Sequence, residues 1–178
     1  MRARSLLLLL WVSPLLIASV EAQKEQRQPL TEPQIEQIRE AGVDPDERVK
    51  LYTKFLQERV DSIKGLIPRI HSGARSKRMD DELQDLTALM DELGSNLDQY
   101  AERKADLRKS LKSLSESTPH WVDVLRGLQS EPGFDLSRKE AIDSGKDLAD
   151  QITQMLKEQT DYFNLHKDEK GQERAEPK

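Results

Sequence analysis

The sequence predicts an all-α protein: an elongated antiparallel helical bundle or coiled-coil hairpin built around one long central heptad helix. Three observations predict it. Met79, Leu86, Leu93, Tyr100, Leu107 and Leu114 recur every seven residues, and Leu83, Met90, Leu97, Lys104 and Leu111 form a second series that interlocks with the first. Interlocked four- and three-residue steps are the a and d positions of a helical seam. The composition is 34% charged and only 4% aromatic, which suits amphipathic helices and disfavours a sandwich or barrel of β-branched and aromatic strands. Proline and glycine fall in clusters that punctuate the chain.

The elements follow in order. Thr31 caps a first helix, with Gln34 three residues on as the capping-box partner, and Ile35, Ile38 and Ala41 form its stripe. Gly42 ends it. Asp44 caps a second helix, Pro45 takes its first turn, and Glu47 stands at the box position. Val49, Tyr52, Leu56, Ile63, Leu66 and Ile70 mark its apolar face, Val60 and Ile67 widen it, Phe55 lies on its other edge, and Pro68 ends or kinks it. The stretch 71–78 reads as a basic connector carrying Arg75, Lys77 and Arg78. The heptads then predict one helix from Met79 to Leu114, about 54 Å long, with Gly94 off the seam. Lys104 at a seam position either fixes register at a cost in stability or marks where the seam opens to solvent. Thr118 and Pro119 begin a short fourth helix through Leu128, and Glu131, Pro132 and Gly133 form a turn. The last helix runs from Ser137 to about Leu165, with Ile142, Leu148, Ile152, Met155, Leu156 and Phe163 inward. By domain, the chain divides into a signal peptide at 1–22, a flexible arm at 23–30, a helical bundle at 31–165 and a disordered charged tail at 166–178.

Charge suggests how the helices pair. Asp80, Asp81, Glu82, Asp85, Asp91 and Glu92 crowd the start of the central helix, and Arg103, Lys104, Arg108, Lys109 and Lys112 crowd its end. Acid first and base last suits the helix dipole. It also suits a hairpin in which Lys64, Arg69 and Arg75 lie beside the acidic start, and Asp44, Asp46 and Glu47 lie near Lys104 and Arg108. The alternative is an antiparallel homodimer through the same helix.

Met1 to Ser5 is basic, Leu6 to Val20 is an apolar run, and Val20 and Ala22 place small residues at the two positions a signal peptidase reads. That pattern predicts cleavage after Ala22 and export to the periplasm or beyond. The apolar run is short for a bilayer span, and no later stretch suits one, so no membrane span is expected after cleavage. The chain has no cysteine and a net charge of −5. The first excludes disulfides and thiolate metal sites, and the second argues against nucleic acid as a partner. His71, His120 and His166 form none of the close helical metal templates and read as surface residues, while the methionines read as core. No nucleophile elbow, phosphate loop or dinucleotide fingerprint occurs. The pairs Asp81/Asp85 and Asp98/Glu102 read as solvated faces. The expectation is a non-enzymatic protein with no catalytic residue, metal or cofactor.

One motif carries a resemblance. Leu30, Thr31 and Gln34 match the Leu-Thr-x-x-Gln signature, and in this the chain resembles exported helical proteins of the Spy/CpxP type. The resemblance implies a small all-α periplasmic protein acting as an ATP-independent chaperone or in envelope stress. The chain departs from that family in carrying one such motif instead of two and in being acidic. The residues themselves point first to a protein that acts through protein–protein contact or self-association. Its candidate contact is the seam of Met79, Leu83, Leu86, Met90, Leu93, Leu97, Tyr100, Leu107, Leu111 and Leu114.

Overall fold

A computed structural model describes residues 28–166. The predicted signal peptide, most of the arm and nearly all of the charged tail lie outside the described residues. These residues form five α-helices and no strand: α1 (Glu32–Glu40), α2 (Pro45–Leu66), α3 (Gly73–Glu102), α4 (Arg108–Arg126) and α5 (Asp135–Leu165). The protein is an all-α helical bundle.

The start signals of the first two helices act as expected. The Thr31 N–H donates to Gln34 Oε1 at 3.0 Å. Gly42 adopts the left-handed conformation that closes α1, at φ +61°. Asp44 Oδ1 accepts from the N–H groups of Asp46 and Glu47 at 3.0 and 3.4 Å. The α2 helix ends at Leu66, two residues before Pro68. Residues 71–78 are not a connector. Ser72 caps α3 through the Arg75 N–H at 3.2 Å, so Arg75, Lys77 and Arg78 lie in its first turns. Cations there oppose the helix dipole. Arg75 is compensated by Glu131 at 2.8 Å and by the Leu66 carbonyl at 2.9 Å.

The expected continuous helix from Met79 to Leu114 is two helices. The α3 helix stops at Glu102, and Lys104 takes φ +57°. The Lys104 N–H donates to the Ala101 carbonyl and the Ala105 N–H to the Tyr100 carbonyl, at 2.9 and 3.1 Å. These two bonds make a Schellman end with lysine at the position glycine usually holds. The reason is visible in the pattern: a continued helix would bring an ammonium onto the buried seam. Of the two expectations for Lys104, the seam ends there. The α4 helix then starts at Arg108 and runs through Thr118 and Pro119, which start no helix of their own. Thr118 Oγ1 instead donates back to the Leu114 carbonyl at 2.8 Å. An interior proline costs about 3 kcal/mol. Pro119 lies on the exposed face, where water can meet the carbonyl it frees. Opposite it, Leu111, Leu114, Trp121, Val122 and Leu125 are all buried. Burying a side chain of that size contributes about 1.5–3 kcal/mol, so the stripe outweighs the break.

Four helices form the bundle, and α1 packs on α2 alone. The α2 helix runs antiparallel to α3, as Arg59 meets Glu82 and Tyr52 meets Glu92. It runs parallel to α4, as Asp46 meets Ser110 and Gln57 meets Trp121. The α3 and α5 helices are also parallel: Asp80 pairs with Ser137, Asp91 with Ser144, and Asp98 with Gln151. Around the bundle the order is therefore α2, α3, α5, α4, and the 103–107 turn carries the chain across a diagonal. The expected charge pairing is met only in part. Arg59 bridges Glu82 and Asp85 at 3.1 and 3.4 Å. Lys64 and Arg69 stay on their own segment, and Arg108 pairs with Asp106.

Candidate functional site

The seam residues proposed as a contact surface lie inside the monomer. Met79, Leu83, Leu86, Met90, Leu93, Leu97, Tyr100, Leu107, Leu111 and Leu114 are all buried, Tyr100 being the most exposed of them at 6%. Positions to Tyr100 belong to α3, and Leu107 onward to the turn and α4. Gly145 of α5 lets these helices approach: a Cβ there would stand 2.8 Å from Val122 Cγ2 and 3.7 Å from Met90 Cε. The three histidines are exposed, and Met79, Met90 and Met155 are buried. Among the described residues no group of three or more His, Asp and Glu side chains could hold a metal ion. Asp81 pairs with Lys77, Asp85 with Arg59, and Asp98 accepts from Gln151.

Two features of the surface remain. The first is at the end of the bundle where the α2–α3 and α4–α5 connections meet. His71 and Arg75 of one connection hold Glu131 of the other at 3.1 and 2.8 Å, and Gly133 packs against Ser76. Ile67, Ile70 and Leu136 are exposed at this end, at 46%, 89% and 70%. The apolar spacing of the second helix places Ile67 and Ile70 on its buried face. Pro68 ends α2 before they can reach it.

The second feature is a cleft of about 250 Å³ beneath α1. Its apolar wall is Pro29, Leu30, Ile35 and Ile38, and its polar wall is Arg48 and Tyr52 of α2 with Glu92 of α3. Arg59 Nη2 donates to the Pro29 carbonyl at 2.6 Å and holds the entry to α1 against α2. The Leu30–Thr31–Gln34 motif therefore does local work, turning the chain so that Leu30 and Ile35 face the same cleft. Gln34 also donates to Glu58 Oε2 at 3.1 Å.

On the polar wall the Tyr52 hydroxyl donates to Glu92 Oε1 at 2.6 Å. Burial pushes the Tyr52 phenol well above its ordinary value, and the bond to a carboxylate raises it further. Arg48 Nη1 donates to the Gly42 carbonyl at 3.5 Å, a weak contact. Its Nε–H is buried and has no partner, and the Tyr100 hydroxyl is in the same state. Burial raises the Tyr100 phenol, and the Arg48 charge opposes that rise. The sequence pattern hides this polar group, because Tyr52 fits the apolar face of the second helix and Tyr100 the seam, and Arg48 carries no motif. A signal was present: Arg48 and Tyr52 are four apart, as are Glu92, Asn96 and Tyr100, so each set shares a helix face.

No family model, curated protein or solved structure matches the chain. Among the described residues no helix is long and apolar enough to cross a membrane.

Proposed function

We propose that this is an exported, non-enzymatic helical protein that works through protein–protein contact. Export is supported by the basic, apolar and small-residue pattern of residues 1–22. The observation that carries the contact reading is the exposed group of Ile67, Ile70 and Leu136 at one end of the bundle. Single exposed apolar residues are ordinary. Ile67 and Ile70 of the α2–α3 connection and Leu136 of the first turn of α5 stand at the end where Arg75 and Glu131 join the two connections, and exposed apolar groups brought together mark contact sites. The seam itself is spent on the core, so self-association or partner binding uses this end.

The test is sedimentation with the double variant Ile67→Ser, Ile70→Ser. The wild-type protein forms a complex of fixed stoichiometry, with itself or with a partner cross-linked in the exported compartment. The double variant keeps its helix content and loses that complex. A second arm addresses the chaperone role implied by the Leu-Thr-x-x-Gln motif. Mixed at equal molar ratio with an aggregating client, a dedicated contact protein leaves light scattering unchanged. Suppression of scattering without ATP overturns the dedicated reading in favour of a chaperone.

A further inference from the structure

We infer that the apolar end of the bundle takes an acidic protein segment, whose aliphatic side chains cover Ile67 and Ile70 while its carboxylates meet Arg69 and Arg78. This rests on the protein–protein reading above and decides between its two occupants: a distinct acidic partner, not a second copy of this chain.

The charge of the α2–α3 connection carries the first part. Between Asp61 and Asp80 the chain has five cations, Lys64, Arg69, Arg75, Lys77 and Arg78, and no carboxylate, in a protein of net charge −5. Part of that charge is met within the chain. Arg75 lies on Glu131, Lys64 is 3.5 Å from Asp61, and Lys77 is 3.2 Å from Asp81. Arg69 gives its Nε–H to the Gly65 carbonyl at 3.2 Å, not to a carboxylate. Arg69 and Arg78 are exposed, and among the described residues neither forms an ion pair. The carboxylates of the facing connection are already engaged. Glu131 holds His71 and Arg75, and Asp135 holds Arg138 and Lys139. The charge these pairs leave over is positive.

The apolar residues carry the second part. Residues 67–74 are all exposed. Ile70, at 89%, has the most apolar surface to bury, and Ile67 is half covered at 46%. Arg69 stands between the two isoleucines, so a complementary segment interleaves aliphatic and acidic side chains. A carboxylate suits a guanidinium well, since its two oxygens match the planar fork. The isoleucines then supply buried area, and the arginines supply specificity and encounter rate.

Charge also decides against the other occupants. A two-fold pairing of copies through this end would lay the patch on itself, and like charges face to face suppress a pairing. A flat anionic lipid surface would meet both connections together and so press against Glu131 and Asp135. A shaped partner can place its carboxylates at Arg69 and Arg78 alone.

The probes are short, end-capped peptides that set two leucines among glutamates in every arrangement. Each is titrated into the purified protein while anisotropy and the Ile67 and Ile70 methyl resonances are followed. The expected result is saturable binding by at least one member, with both methyls shifted. Raising salt from 0.1 to 1 M shortens the reach of charge from about 10 to about 3 Å and should weaken that binding at least fivefold. Arg69→Gln with Arg78→Gln should weaken it about fivefold and flatten the salt dependence, as the loss of two exposed ion pairs requires. Arg69→Lys with Arg78→Lys should keep most of it, and circular dichroism should match the wild type in both. The proposal is overturned if no peptide binds, if lysine in place of glutamate binds as well, or if the methyls stay unmoved. Tighter binding to vesicles of equal phosphatidylglycerol and phosphatidylcholine would make the occupant a membrane, and a dimer lost in Ile67→Ser, Ile70→Ser would make it a second copy. Either result overturns the acidic partner. A complex lost in the isoleucine double variant but untouched in the arginine-to-glutamine one keeps the contact reading and removes its acidic ligand. A complex that survives the isoleucine variant removes the contact reading itself, so the two fail separately.

Discussion

Lys104 holds φ +57° at the end of α3, a conformation that costs a residue with a Cβ about 1–2 kcal/mol. Its ammonium lies 5.5 Å from the Tyr162 ring centroid, a contact worth about 0.5–1 kcal/mol at an exposed site. The strain is the larger effect. Lys104→Gly is therefore expected to stabilise the fold by up to about 1 kcal/mol, read as a higher urea midpoint at unchanged slope. Glu131 makes the opposite case. The Arg75 guanidinium bonded to it holds its carboxyl below the ordinary value of 4.5. Its folded-state value is thus depressed, and the charged form stabilises the fold above the ordinary value. That contribution is lost as pH falls through the folded-state value. Glu131→Gln should lower the urea midpoint at neutral pH, with the gap to wild type closing in acid. A gap independent of pH would mean that Glu131 acts by packing and not by charge.

Gln159 decides the geometry between elements. It is 8% exposed, its Oε1 accepts the Leu107 N–H at 2.9 Å, and its Nε2 donates to the Ala105 carbonyl at 3.0 Å. One α5 side chain thereby satisfies the turn that interrupts the expected long helix. Gln159→Leu strands both backbone groups, at about 1–3 kcal/mol for each buried group left unmade. Calorimetry should show a loss of at least about 2 kcal/mol, and a near-neutral result would mean that water reaches the turn. Gly145→Ala sets two effects against each other. Helix propensity favours alanine by about 1 kcal/mol, while a Cβ 2.8 Å from Val122 Cγ2 overpacks the core at about 1–3 kcal/mol. Net destabilisation is expected. These residues also show what the sequence could disclose. The all-α class, the caps at Thr31 and Asp44 and the inward side of the seam from Met79 to Leu114 were legible, because periodicity reports which side faces inward. The break at Lys104 was hidden because its register continues into α4 by coincidence. The parallel pairing of α3 with α5 was hidden because it uses Ser137, Ser144 and Gln151, uncharged residues seven apart that a charge-based reading passes over. The cleft was hidden because Tyr52 on its wall also satisfies the apolar pattern.

At the scale of the whole molecule the four long helices and α1 are held unequally. The α2 to α5 helices share one continuous core that includes Trp121, Phe55 and the seam leucines. The α1 helix has nine residues, one of them buried, and touches only α2. A helix that short is not stable by itself in water. Its attachment is Ile38, part of Leu30, and polar contacts such as Gln34 to Glu58. Native-state hydrogen exchange should therefore divide the molecule in two. Core amides of α2 to α5 should exchange together through global unfolding, while α1 amides open locally at a much smaller free energy. Equal protection of α1 and the core in the free protein would show instead that the cleft is a rigid part of one cooperative unit.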